Sequence, residues 1–88
     1  MNLFEDSGIN LHYLEELLQS SINDYPNVKE ISCDSGFGRD IICFVRGEKG
    51  HKFTPEEKAE IESMIMDTTY EAGIFITSAH LRVMFTSH

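Results

Sequence analysis

Glu56, Glu60, Asp67 and Glu71 recur at intervals of four, seven and four residues, which is helical spacing. At about 1.5 Å rise per residue, Glu56 to Glu60 and Asp67 to Glu71 are each roughly 6 Å apart along an axis, and the row runs about 22 Å. At about 100° per residue all four carboxylates fall in one narrow sector. Regularly spaced anions on a rigid rod imitate a phosphate backbone, and backbone recognition is largely insensitive to base sequence. The chemistry on offer is therefore the binding of a basic surface rather than the making of bonds. The plainer reading is a solvated helix face, with Glu56 also complementing the helix dipole. Each like-charged i,i+4 pair costs about 0.2–0.5 kcal/mol. Met66 and Tyr70 lie one turn apart beside the row. Their types are enriched in interface cores, so they are candidate anchors; the alternative is packing against another helix.

Other side chains form no reactive constellation. His12, His51, His80 and His88 are scattered, without C-x-x-C or H-x-x-x-H spacing. Cys33 and Cys43 are expected to be buried thiols that can face each other across a hairpin. A zinc site would need these cysteines and distant histidines to converge. No Ser–His–acid or Cys–His arrangement can be argued from the spacing. Gly36-Phe37-Gly38-Arg39 resembles the Gly-Phe-Gly centre of the RNA-recognition-motif signature, but Ser35 replaces its basic residue and Arg39 and Ile41 stand where aromatics are expected. A tight hairpin loop explains both glycines more simply. The expectation is a non-enzymatic chain with no cofactor and no metal site.

The charge balance narrows the partner. Fifteen Asp and Glu against seven Lys and Arg give a net charge of −8. Direct nucleic-acid binding needs a basic footprint, and the same field disfavours anionic membranes. It favours fast approach to a basic partner. No apolar stretch approaches the roughly 18–20 residues that span a bilayer. The acidic opening Met1-Asn2-Leu3-Phe4-Glu5-Asp6 is unlike a signal peptide, so a cytoplasmic location is expected. Eighty-eight residues, 41% of them hydrophobic, make one globular domain spanning 1–88.

The elements that position the acids follow from periodicity. Leu11, Leu14, Leu18, Ile22 and Tyr25 form one helical face over residues 11–24, with Asn10 as N-cap and Pro26 as stop. Thr54-Pro55-Glu56-Glu57 is a capping box with proline at N1. The helix it opens should bury Ile61, Met64, Ile65, Thr68 and Ala72 and end at Gly73. Strands are predicted over 28–34 and 40–46, and again over 73–77 and 80–86. The fold class is α+β, in αββαββ order: a four-stranded antiparallel sheet with both helices on one face. An extra strand at residues 2–5 would give a ferredoxin-like variant.

Strand two, Ile41-Ile42-Cys43-Phe44-Val45, is apolar on both faces, and Phe75 and Met84 oppose the core sets of their strands. Ile42, Phe44, Phe75 and Met84 would then lie on the open side of the sheet as an alternative, oligomerising interface, a homodimer included. A covering segment, or burial of the strand on both sides, is the competing reading. The composition and spacing together lead to the expectation of a small acidic inhibitor that docks on the basic surface of a nucleic-acid-binding protein by partial nucleic-acid mimicry. Glu56, Glu60, Asp67 and Glu71 supply the anions, and Met66 and Tyr70 the anchors. Inhibitors carried by phage or mobile elements are the class-level analogy.

Overall fold

The computed structural model describes residues 3–36 and 40–86. Helix α1, Leu3–Ser21, runs into a 3-10 turn at Ile22–Asp24. Strands β1, Val28–Ser35, and β2, Ile41–Gly47, form an antiparallel pair. Helix α2, Pro55–Glu71, crosses to β3, Leu81–Thr86, which pairs with β2 in parallel. The sheet order is β1-β2-β3.

The class is α+β, but the sheet has three strands, not four. Residues 73–77 do not join it. They run as an extended link in which Ile74 and Ile76 pack against the core while Phe75 points out. The alternation is that of a strand, without the ladder. At 78–80 the expected two-residue hairpin is replaced by a 3-10 turn, closed by the His80 amide donating to the Thr77 carbonyl at 2.9 Å. With no strand to reverse direction there, α2 serves as a crossover, and a strand–helix–strand crossover delivers parallel strands.

Helix α1 starts at Leu3 rather than Leu11, so Asn10 is interior and not an N-cap. Residues 3–5 are helical, which removes the ferredoxin-like extra strand. Gly8, which costs about 1 kcal/mol within a helix, masks the extension from a propensity argument.

Helix α2 follows its signals. The Glu57 amide donates to Thr54 Oγ1 at 3.1 Å, and the Thr54 amide donates to Glu57 Oε1 at 2.9 Å. At the other end Gly73, at φ 79°, donates to the Tyr70 carbonyl, and the Ile74 amide reaches Thr69. That is a Schellman stop, in which glycine avoids the cost of a left-handed conformation. The two buried threonines, Thr68 and Thr69, donate their hydroxyls to the carbonyls of Met64 and Met66.

One contiguous core joins Leu11, Leu14 and Leu18 of α1 to Ile61 and Ile65 of α2, over Ile31, Cys43 and Val45. Both helices therefore cover the same sheet face. Helix α1 also guards the outer edge of β1. The Cys33 amide donates to the Glu15 carboxylate at 2.7 Å, and Gln19 Nε2 donates to the Ile31 carbonyl at 3.2 Å. Gly47 completes the packing, since a Cβ there would stand 2.7 Å from the Phe53 ring.

Leu18 is fully buried, so Leu18→Ala is expected to cost roughly 2–5 kcal/mol, read by urea unfolding. The Thr54 amide, with His51 and Asn27, holds the Glu57 carboxyl below the usual carboxylate range. Its contribution to stability is complete above that ordinary range and disappears as pH falls through the lowered value. Glu57→Gln keeps a cap but cannot titrate. Urea midpoints of that variant should show a shallower acid limb than the parent chain.

Candidate functional site

The C-terminal end of α1 and the side of α2 leave an open groove of about 430 Å³, lined by Ser21, Tyr25, Glu60, Ser63, Met64, Asp67, Thr68 and Glu71. A second hollow of about 220 Å³ continues it past Tyr25 and Glu60 toward Asp24, Phe53 and Glu57. The carboxylates along the two are Asp24, Glu57, Glu60, Asp67 and Glu71, and no lining residue is Lys or Arg. Among the described residues, none of Glu56, Glu60, Asp67 and Glu71 is ion-paired. Glu57 is the exception in the groove, held by His51 Nε2 at 3.0 Å and by Asn27.

The structure divides the predicted set. Glu60, Asp67 and Glu71 line the groove, whereas Glu56 is exposed on the first turn of α2 and does not. Met66 is half-buried. Tyr70 is 54% exposed and packs against Phe75 with the rings tilted by 58°, centroids 5.7 Å apart. Neither Met66 nor Tyr70 lines the groove. Tyr25 and Ser63 line the groove and Asp24 the hollow that continues it, and none of the three was a candidate. Tyr25 reads as a core position from its spacing, and only the packing of α1 on α2 turns it toward the hollow's wall.

The open sheet face is equally definite. Register places Ser32, Phe44 and Met84 in one row, with Phe44 41% and Met84 52% exposed. The flanking rows are Glu30, Arg46 and Thr86, and Asp34, Ile42 and Arg82. Arg46 reaches Glu30 across the strands at 3.4 Å. The acids of this face stand on β1 and the bases on β2 and β3. Phe75 is the departure from the expected set: it is 76% exposed on the extended link, against Tyr70, and belongs to no strand.

Two further pairings bear on chemistry. His80 Nδ1 lies 2.8 Å from Asp40 Oδ1, at the end of the sheet. Among the described residues no hydroxyl or thiol hydrogen-bonds this imidazole. Cys33 and Cys43 face each other as free thiols, Sγ to Sγ 3.0 Å. Among the described residues no three His, Cys, Asp or Glu side chains converge to hold a metal ion. The loop residues Phe37, Gly38 and Arg39, and the terminal His88, lie outside the described residues. No helix among the described residues is long and apolar enough to cross a membrane.

The fold has a counterpart among solved structures. EscJ, a type III secretion system protein of enteropathogenic E. coli, superposes on 96% of this chain with a TM-score of 0.66 at 13% sequence identity. The match takes in 51% of the EscJ chain, so this chain spans about half of that protein's length. At this identity the likeness is one of fold alone. No protein-family model and no curated protein matches the sequence.

Because Phe44 and Met84 are outside the core, replacing either by Ser should cost less than about 1 kcal/mol in urea unfolding. A loss as large as that for Leu18→Ala would show that the face is covered in the folded chain.

Proposed function

We propose that this chain is a non-enzymatic binding protein whose α1–α2 groove receives a basic segment from the nucleic-acid-binding surface of a partner protein and blocks it. The observation that carries the reading is the carboxylate lining: Asp24, Glu57, Glu60, Asp67 and Glu71 without a Lys or Arg. The unpaired Glu60, Asp67 and Glu71 repel one another at a cost that a cationic ligand relieves. Glu60, Asp67 and Glu71 supply the central anions, and Glu56 extends the row beyond the groove. Tyr25 offers an amphipathic wall for an arginine stem or guanidinium. Tyr70 and Met66 sit at the margin, as rim contacts rather than central anchors. The reading carries a cytoplasmic setting with it, in which Cys33 and Cys43 are ordinarily reduced.

An Arg/Lys-rich fluorescent peptide tests the groove directly. Its affinity should fall as ionic strength rises, and Glu60→Lys with Asp67→Lys should abolish binding without altering the circular dichroism spectrum. Glu16→Lys with Glu62→Lys changes net charge equally, at exposed sites away from the groove, and should leave most of the affinity. Equal losses in both double variants would reduce the effect to net charge and sink the groove. Displacement of a captured basic protein by duplex DNA would then establish the mimicry.

A second reading rests on the open sheet face, as the docking surface of a second copy. Its charge is segregated across the strands, with Glu30 and Asp34 on β1, and Arg46 and Arg82 on β2 and β3. A two-fold axis parallel to the strands would set Phe44 over its equivalent and Asp34 against Arg82 of the second copy. Such an association gains from apolar burial, which salt does not screen. Sedimentation in high salt should show a dimer that Phe44→Asp dissolves. A monomer at every concentration removes this reading and leaves the groove untouched.

A further inference from the structure

Cys33 and Cys43 are direct register partners on the antiparallel strands β1 and β2. The hydrogen-bond phase decides what kind of pair they are. The Gly36 amide donates to the Asp40 carbonyl, so pairs 36/40, 34/42 and 32/44 are hydrogen-bonded and the odd-numbered pairs between them are not. The Cys33 amide agrees, since it points away from β2 to the Glu15 carboxylate. In a non-hydrogen-bonded pair the Cα atoms stand about 4.5 Å apart, within the span that a disulfide bridges. The thiols touch at 3.0 Å on the helix-covered face. They differ in access: Cys33 is half-buried and Cys43 is fully buried.

We propose that Cys33 and Cys43 are a reversible thiol–disulfide site that takes a low-molecular-weight disulfide, such as glutathione disulfide, as its oxidant and staples β1 to β2. The asymmetry of access sets the order of steps. The Cys33 thiolate attacks one sulfur of the external disulfide; a Cys33–S–S–R bond forms and one thiol, RSH, leaves with the proton from Cys33. Cys43 then gives up its proton and attacks Cys33 Sγ, closing the internal disulfide and expelling the second RSH. Two electrons pass from the pair to the external disulfide, and excess RSH runs the sequence backward. The contact with Cys43, burial and the Glu15 carboxylate all hold the Cys33 thiol up, so the first step is slow near neutrality and quickens with pH.

The full chain is equilibrated with mixtures of reduced and oxidised glutathione, acid-quenched, alkylated and weighed by mass spectrometry. The expected product is two hydrogens lighter, carries no glutathione, resists alkylation even when unfolded, and returns to the dithiol with dithiothreitol. Its melting temperature should rise by roughly 10 °C, because the bridge closes a short loop of the unfolded chain. In Cys43→Ser the glutathione adduct on Cys33 should persist, and in Cys33→Ser, Cys43 should stay unmodified while circular dichroism shows a folded chain. A parent chain that keeps both thiols, or accumulates a stable adduct, overturns the proposal. So does an oxidised chain that melts below the reduced one. Glutathione uptake by Cys43 in folded Cys33→Ser, as fast as by Cys33 in Cys43→Ser, overturns the order of attack.

Discussion

Strand β2 bears the greatest constraint in this molecule, because it alone among the described strands is hydrogen-bonded on both edges. Its inward residues Ile41, Cys43 and Val45 are buried beneath the helices, and its outward residues Ile42, Phe44 and Arg46 are not. One edge takes β1 through a short connection, so that pair is antiparallel. The other takes β3 only after α2 has crossed the sheet, so that pair is parallel. The direction of β3 thus follows from the length of α2, and the crossing lays α2 beside α1. The groove between the helices is a consequence of the same crossover.

Helix α1 shows how an acidic chain uses its acids unequally. Glu15 is spent on the Cys33 amide, and Gln19, one turn later, on the Ile31 carbonyl. These two side chains satisfy outward-facing backbone groups of β1 that would otherwise template another strand. Glu30 is spent on Arg46, Asp40 on His80, and Glu57 on the cap of α2. Among the described residues Glu60, Asp67 and Glu71 form no ion pair, and they stand together where α1 and α2 diverge.

Helix α2 was the legible part of the fold, because local chemistry decides both of its ends, whereas the first half of α1 carried no such signal. The Thr54–Glu57 capping box and Gly73 bracket α2 as the sequence indicates. The inward alternation of Leu81, Val83 and Phe85 survives as well. The direction of β3 was not legible from pattern, since residues 73–77 alternate like a strand and imply a hairpin. Period two reports which side chains face the core, not whether the backbone finds a ladder, and Ile74 and Ile76 are half-buried against the core without one. Likewise helical spacing puts Glu60, Asp67 and Glu71 in one sector, but only tertiary packing brings Asp24 and Tyr25 across from them. Ile42, Phe44 and Met84 share the open face because strand register alone places them there, and Phe75 left that face with the strand that did not form.

The two exposed surfaces answer to different physics, and that difference is already present in the isolated chain. The groove is a place of uncompensated like charge, where carboxylates one turn apart on a rigid helix raise the energy of the unliganded fold. Salt relieves that repulsion as it weakens any cationic ligand. The open sheet face balances its charge internally, acids on β1 against bases on β2 and β3, around the apolar pair Phe44 and Met84. Its unspent free energy is solvent contact of apolar area, which salt does not screen. A chain with a net charge of −8 resists bringing a second copy of itself near and welcomes a basic partner. The long-range field therefore works for the groove and against self-association through the sheet.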